Sequence, residues 1–286
     1  MSVYHILYNP LSGNGSGEER SRKLIGILQD KEHDYKDITK IDDMKAYIAS
    51  MGEDDSIVIC GGDGTLNRFA NSIDRDELRH TIYFFPAGSG NDFFNDIDAK
   101  DPDMPICINR YLANLPTIFV KGKQMKFLNG IGYGLDGYVC EEGDKVRGKS
   151  DKPVNYTSIA LKGLAYDFKP VNAEVTVDGV IHQYSKVWLA PTMNGRYFGG
   201  GMMMAPMQDR LNKAHTVSVV VVHDAYNFQL LPLFPLIFKG KHIKHKRFVQ
   251  PFAAHSVRVK FDRPIALQVD GETISNVLEY EVTTES

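Results

Sequence analysis

The sequence predicts an α/β domain of three layers followed by an all-β domain built as an antiparallel sandwich or barrel. Length is the first reason, since 286 residues fit two modest domains better than one of the usual roughly 100–200 residues. The second is that the first third alternates short apolar runs with helical patterns, the signature of a parallel sheet covered by helices. The third is that β-rich runs separated by turns dominate after about Lys121, as they do in antiparallel folds.

In the first domain, Val3–Tyr8, Ser56–Cys60 and Ile82–Phe85 are strand candidates, each closing in a Gly- or Pro-bearing turn. Gly17–Leu28 and Asp42–Ser50 carry apolar residues at three-to-four spacing among charges, which makes them helices on the sheet faces. Ligands collect where the carboxyl ends of parallel strands meet the following loops, so the three loops are expected to line one crevice. Leu115-Pro116 and Lys121-Gly122-Lys123 mark the crossing, with domains at 1–120 and 121–286. Beyond it, Phe127–Ile131, Ala173–Val177, Lys186–Ala190, Thr216–Val222, Ser256–Phe261 and Ile265–Val269 read as strands, and Asn155–Phe168 and Ala225–Leu231 as helices.

Composition excludes several classes. With 33 Lys and Arg against 36 Asp and Glu, the chain lacks the basic excess of a nucleic-acid binder, and no nucleic-acid partner is expected. Cys60, Cys107 and Cys140 are odd in number and lack the spacing of a zinc site or disulfide framework, which indicates a reducing compartment. Met1–Pro10 has no positively charged lead into an apolar core and reads as a first strand, not as an export signal. The most apolar stretch, Phe228–Phe238, is about half of the ~20 residues a spanning helix needs and contains Pro232 and Pro235. A cytoplasmic location is expected.

Three loops are candidates for chemistry. Gly61-Gly62-Asp63-Gly64-Thr65-Leu66-Asn67 follows an apolar strand, and its glycines let backbone N–H groups approach a phosphate closely. Asp63 adds a carboxylate suited to magnesium, although the same residues also suit a plain turn in which Asp63 caps the next helix. Asn9-Pro10-Leu11-Ser12-Gly13-Asn14-Gly15-Ser16-Gly17 and Pro86-Ala87-Gly88-Ser89-Gly90-Asn91-Asp92 repeat the pattern after the other two strands. Three Gly/Ser loops on one edge suit a polyphosphate. A literal Walker A match, Gly143-Asp144-Lys145-Val146-Arg147-Gly148-Lys149-Ser150, is rejected because no buried strand leads into it, and it is assigned to a charged surface loop. Val269-Asp270-Gly271-Glu272 ends a strand in two carboxylates, suited either to taking a proton from an attacking hydroxyl or to an Asp-Gly hairpin turn.

Together, Asn9-Pro10-x-Ser12-Gly13, Gly61–Thr65, Pro86–Asp92, Asn129 through Asp136, Gly199-Gly200-Gly201 with Ala205-Pro206, and Val269–Glu272 resemble the diacylglycerol kinase catalytic family in order and spacing. Relatives of that family include sphingosine, ceramide and bacterial lipid kinases, and the resemblance spans nearly the whole chain. It implies an N-terminal nucleotide-binding α/β domain, a C-terminal β-sandwich lipid-binding domain, and an ATP- and Mg2+-dependent lipid kinase. Diacylglycerol is the expected acceptor and phosphatidic acid the product. By the same resemblance, Asn9, Pro10, Ser12, Gly13, Thr39, Gly61, Gly62, Asp63, Gly64, Thr65, Asn67, Gly88, Ser89 and Asn91 surround ATP, and Asp63 and Asp92 organise magnesium. Asp270, Glu272 and Asp63 are the catalytic candidates, with the choice of base between Asp270 and Glu272 open, and Asp136 falls where the family contacts the acceptor's head group.

The chain departs from the family at two places. Asn212 and Lys213 replace the Asp-Gly pair of members that carry a structural magnesium, leaving Asp209 as the acid there, and Val120 stands where an acid is common. A NAD kinase, which resembles this chain at Gly61–Thr65, is the alternative enzyme. A nucleotide- or lipid-binding regulator with weakened catalysis is the alternative of another class. Lys239–Arg247 places five Lys or Arg in nine positions after the apolar stretch, which suits either a solvated loop or an anionic membrane surface. The expected partners are therefore a lipid substrate, an anionic membrane met peripherally at its inner face through Lys239–Arg247, and a second copy in a homodimer. Met202–Met204 and Trp188 are assigned to packing.

Overall fold

A computed structural model describes residues 2–74, 79–97, 99, 101–149 and 154–284. The chain divides into two compact units, Met1–Asn114 and Leu115–Ser286. In the first, β1 (Tyr4–Tyr8), β2 (His33–Asp37), β3 (Ser56–Gly61), β4 (Thr81–Pro86) and β5 (Ile106–Cys107) form one sheet in the order β2-β1-β3-β4-β5. The first four strands are parallel and β5 is antiparallel. β3 is buried at every position, as a central strand covered on both faces must be. Tyr8 pairs with Cys60, and Gly61 with Pro86, so β1, β3 and β4 end in step and release their loops along one edge.

Two helical expectations change here. Gly17–Leu28 is two short helices, Gly17–Ser21 and Lys23–Ile27. The Ser21 hydroxyl turns back to donate to Glu18 O at 2.7 Å, a local bond that competes with helix continuation. Asp42–Ser50 shortens to Met44–Ala49, capped by the Asp43 carboxylate on the Ala46 N–H.

The second unit opens with β6 (Thr117–Val120), β7 (Lys123–Lys126) and β8 (Gly130–Tyr133). It continues with β9 (Val171–Val177), β10 (Val180–Val187), β11 (Thr192–Met193), β12 (Tyr197–Phe198) and β13 (Met202–Met203). It ends with β14 (Val217–Val222), β15 (Val249–Ala254), β16 (Ser256–Val269) and β17 (Glu272–Thr283). Ten of these form an antiparallel sandwich-like sheet in the order β15-β14-β11-β8-β16-β17-β6-β7, with β9 on β16 and β10 on β9, while β12 and β13 form a separate ribbon. Its core holds Ile131, Tyr133, Val175, Val219, Val259, Phe261 and Tyr280, with the Tyr133 and Phe261 rings stacked at 3.9 Å. β6 pairs with both β17 and β7, and this ties 117–120 to the second unit. The units accordingly divide after Asn114, upstream of the 120/121 boundary set from sequence.

Other elements also move. Residues 128 and 129 precede the ladder instead of joining it, because their N–H groups bond to Asp270. Ser256–Phe261 and Ile265–Val269 are one strand, interrupted by a bulge between Lys260 and Ile265, where Pro264 has no N–H to give. The strand expected at Lys186–Ala190 stops at Val187, since Lys186 adopts a φ of +49° and only isolated bridges at Leu189 follow. Asn155–Phe168 is α-helical over Tyr156–Lys162 and then widens into a π turn, Gly163–Asp167. Ala225–Leu231 keeps a single turn, Asn227–Leu230. The Walker-like run is not a loop up to Arg147, because Leu135–Arg147 is a helix with Asp136 in its first turn and Lys145 and Arg147 in its last, each charge matched to the dipole. A phosphate loop cannot begin inside a helix, so the match stays rejected; its last residue, Ser150, and Asp151–Pro153 lie outside the described residues.

Candidate active site

The three loops of the first unit lock together. Asn9 Nδ2 donates to Thr65 Oγ1 at 2.7 Å, and the Ser12 hydroxyl lies 3.3 Å from the same oxygen. The Ala87 N–H donates to Gly61 O at 2.7 Å. A Cβ added to Gly88 would stand 2.5 Å from Gly62 Cα, and one added to Gly13, whose φ is +59°, would stand 2.6 Å from Ala87 O. Backbone therefore meets backbone at both crossings, and only glycine allows it.

Asp63 does not cap its own helix. Its two carboxylate oxygens accept the N–H groups of Asp92, at 2.8 Å, and Phe93, at 3.0 Å, so it caps the helix Asp92–Asp96 and ties the second loop to the third. Its own helix, Asp63–Ser72, starts from Gly62 with no side-chain cap on its first N–H groups, and Asp63 in its first turn is the acid at the positive end of its dipole. Asn91 adopts a left-handed φ of +51° and buries an Oδ1 that has no hydrogen-bond partner among the described residues. A bound donor is the usual answer to such an acceptor. Gly64 faces open space and Ser89 is exposed at its loop tip. Asn67 is buried, with its Oδ1 accepting from Asn71 Nδ2. Pro10 is half-buried after β1. Thr39 lies apart after β2, exposed, with its N–H and hydroxyl both donating to Asp37 Oδ1 at 2.9 and 2.7 Å.

In the second unit, Asp270-Gly271 is the two-residue turn between β16 and β17, with φ values of +46° and +90° and Val269 paired to Glu272. The hairpin and the acid are thus the same feature. The Asp270 carboxylate reaches β8 and its approach, accepting the N–H groups of Leu128, of Asn129 at 2.8 Å and of Gly130 at 3.0 Å. Glu272 is exposed at the start of β17. Gln268 Oε1 accepts the Gly271 N–H at 2.6 Å, and its Nε2 donates to Asp136 Oδ2 at 2.8 Å. Asp136 itself is buried, placed beside Gly132, where any Cβ would overlap Asp136 Oδ2. The head-group residue implied by resemblance is thus a buried partner of Gln268. Sequence reasoning missed Gln268, Arg210 and Asn194. Arg210 donates to Leu128 O at 3.1 Å and to Asn129 Oδ1 at 3.0 Å, and Asn194 Nδ2 donates to Leu128 O at 2.9 Å. The one sequence signal was an amide, Gln268, inside the apolar run 267–269.

Burial pushes the Asp136 carboxyl up from 3.8 to about 6, against the opposing pull of the Gln268 bond. The folded state then binds more protons than the unfolded one between those values, so this group's contribution to stability falls as pH rises from about 4 to about 6 and is flat above. Asp136→Asn keeps an acceptor for Gln268 and removes the titration. Its free energy of unfolding, read from melting or denaturant curves, is expected to gain on the wild type as pH is raised from 4 to 7, by an amount on the order of 2–3 kcal/mol. A gap that stays constant with pH would show that Asp136 does not titrate there.

The donors around Asp209 do not fit a structural magnesium. Asp209 Oδ1 accepts the Leu211 N–H at 2.9 Å, and the Asn212 amide is engaged at both ends, accepting from Thr216 N at 3.0 Å and donating to Asp209 O at 2.6 Å. A carboxylate in place of Asn212 would have no N–H to give, and Arg210 already brings a cation to this loop. No cluster of three or more His, Cys, Asp or Glu suited to a metal occurs among the described residues. Val120, at the other departure, is a buried core residue of β6.

Comparison with known proteins agrees with this layout. Residues 3–116 match the family model described as the diacylglycerol kinase catalytic domain, and residues 129–282 match the YegS C-terminal NAD kinase beta sandwich-like domain. The chain is 25% identical over 285 residues to a diacylglycerol kinase of Bacillus subtilis, covering 95% of this chain and 90% of that one. It is 24% identical over 249 residues to a diacylglycerol kinase of Mycobacterium tuberculosis, covering 83% and 79%. Its fold is similar to the crystal structure of a diacylglycerol kinase from Bacillus anthracis, with a TM-score of 0.65 at 19% identity, over 99% of this chain and 93% of that one. Interlocked Gly/Ser loops on a parallel sheet and an acidic hairpin on a β-sandwich-like unit, matched by these two models over residues 3–116 and 129–282, mean that the chain belongs to the diacylglycerol kinase catalytic family.

Proposed function

We propose that the protein transfers the γ-phosphoryl group of ATP to a lipid hydroxyl, with diacylglycerol as acceptor and phosphatidic acid as product. The observation that carries this reading is the Asp63 clamp, which joins two glycine loops beside an uncapped helix start, a setting suited to a polyphosphate. Two of the roughly four lone-pair sites of Asp63 are used by amides. The rest, with Asp92 next to it, would hold a hydrated Mg2+ arriving with the nucleotide, whose chemistry is to offset phosphate charge.

The acceptor is assigned to the hairpin of the second unit. The lipid oxygen forms a bond to the γ-phosphorus as the bridging bond to ADP breaks, and the hydroxyl proton passes to a carboxylate of the Asp270 and Glu272 pair. Three N–H donors hold Asp270 in one orientation, so much of its contribution is positioning. Purified protein with ATP and Mg2+ is expected to phosphorylate one lipid from a micellar panel of diacylglycerol, monoacylglycerol, sphingosine and ceramide, with NAD alongside, as read by mass spectrometry. Phosphorylated NAD would establish the NAD kinase reading instead. ATP binding with no product from any acceptor would establish the regulator.

A further inference from the structure

Residues 225–248 contain no acid, although acids outnumber Lys and Arg over the whole chain. The segment runs through two single turns, Asn227–Leu230 and Phe234–Ile237, and a 3-10 turn, His242–Lys244. Its apolar side chains divide between two sides. Leu230, Leu233 and Ile237 are buried in a cluster with Leu164, Trp188 and Val222. Tyr226, Phe228, Leu231 and Phe238 point outward, with Phe228 71% exposed. The Tyr226 and Phe228 rings stack at 5.9 Å, nearly parallel at 8°, and Lys186 Nζ sits 4.0 Å over the Tyr226 ring. The two rings thus lie side by side on the surface, with a cation over one of them.

The basic run is held in place. His242 is fully buried, with its Nε2 bonded to Met204 O at 3.0 Å, while Lys239, Lys241, Lys244, Lys246 and Arg247 are exposed. None of those five is in an ion pair among the described residues. Exposed aromatics beside unneutralised cations of a single sign are the chemistry of an interfacial anchor, with rings for the headgroup boundary and cations for anionic lipid. No described helix is long and apolar enough to cross a membrane, so such contact would be peripheral.

We propose that Tyr226–Arg247 is a docking surface for an anionic bilayer, with Tyr226, Phe228, Leu231 and Phe238 entering the headgroup boundary and Lys239, Lys241, Lys244, Lys246 and Arg247 meeting lipid phosphates. The proposal rests on the reading of the protein as a lipid kinase, whose acceptor lies in a membrane, and it names the surface that brings the two together. A protein partner would have to supply many carboxylates to the same surface, whereas an anionic bilayer presents its charge wherever the segment lands.

The test is cosedimentation, without ATP, with vesicles of phosphatidylcholine alone and of phosphatidylcholine mixed equally with phosphatidylglycerol. The wild type is expected to bind the mixed vesicles and to be released by salt, since exposed charges are screened within about 10 Å at 0.1 M. Lys241→Glu/Lys244→Glu/Lys246→Glu is expected to weaken that binding about 100-fold, and Phe228→Ser about 10-fold. All four sites are exposed, and melting temperatures near the wild-type value would confirm intact folds. No wild-type binding to mixed vesicles, or equal binding by the triple variant, would overturn the proposal. Turnover on lipid dispersed in neutral detergent micelles tests the kinase reading separately. Product in micelles without vesicle binding would reject docking alone, and vesicle binding without product would reject the kinase alone.

Discussion

Asp270→Asn is expected to lose at least 100-fold in lipid phosphorylation and also to melt roughly 5 °C lower than the wild type. The first figure is what loss of a positioned carboxylate base costs, about 100-fold or more. The second follows from the amide clamp. Three N–H groups, from Leu128, Asn129 and Gly130, converge on the two carboxylate oxygens. An asparagine offers them one oxygen and turns an NH2 group toward the rest, leaving a backbone donor without an acceptor at about 1–3 kcal/mol, and each kcal/mol is about 2–4 °C in a unit of this size. Turnover in micelles and a melting curve on the same preparation check both figures. Unchanged turnover with a lowered melting point would remove Asp270 from the chemistry and leave it a turn anchor. Unchanged melting with lost turnover would show that the clamp contributes little to stability. Glu272→Gln alters an exposed position and is the control, since any activity it loses comes without the clamp.

The course of the first unit was largely legible because central parallel strands are apolar throughout, and Ser56–Gly61 is buried at every residue. The edge strand His33–Asp37 was not, because its half-buried and exposed alternation is filled by His33, Asp34, Lys36 and Asp37, a pattern no different from a polar loop. In the second unit the helix Leu135–Arg147 was hidden by its charges. Lys145, Arg147, Asp144 and Glu142 form ion pairs at helical spacing, but Gly137 and Gly143 break the apolar stripe. Those glycines admit Ala266 O and the Tyr156 ring, contacts set by tertiary packing and invisible locally. The site divides in the same way. The glycine loops announce themselves by composition, and the acidic hairpin by its resemblance to a family. Gln268 and Arg210 act through partners more than 80 residues away in the chain, beyond the reach of any spacing rule.

Substitution of two loop glycines should separate architecture from ligand contact in the first unit. Gly88→Ala is expected to abolish measurable ATP binding and to lower the melting temperature, because the added methyl would stand 2.5 Å from Gly62 Cα and 3.0 Å from Asn91 Oδ1. The nearest atom is backbone, so the strain cannot be relieved by rotating a side chain. The two loops must part, and with them the Asp63 bonds to the Asp92 and Phe93 N–H groups, at a cost of several kcal/mol if backbone donors are stranded. Gly64→Ala differs in every physical respect. Gly64 lies in the first turn of the helix Asp63–Ser72 with open space where its Cβ would go, so alanine should leave the fold intact or stabilise it by up to about 1 kcal/mol through helix propensity. If that open space is where phosphate approaches the backbone, Gly64→Ala will weaken ATP by about 10-fold or more while melting at or above the wild-type temperature. Calorimetric titration with ATP and Mg2+ beside thermal melts of both variants decides the matter. Wild-type affinity in Gly64→Ala would move the phosphates away from this helix start, and wild-type affinity in Gly88→Ala would mean that the loop crossing plays no part in holding the nucleotide.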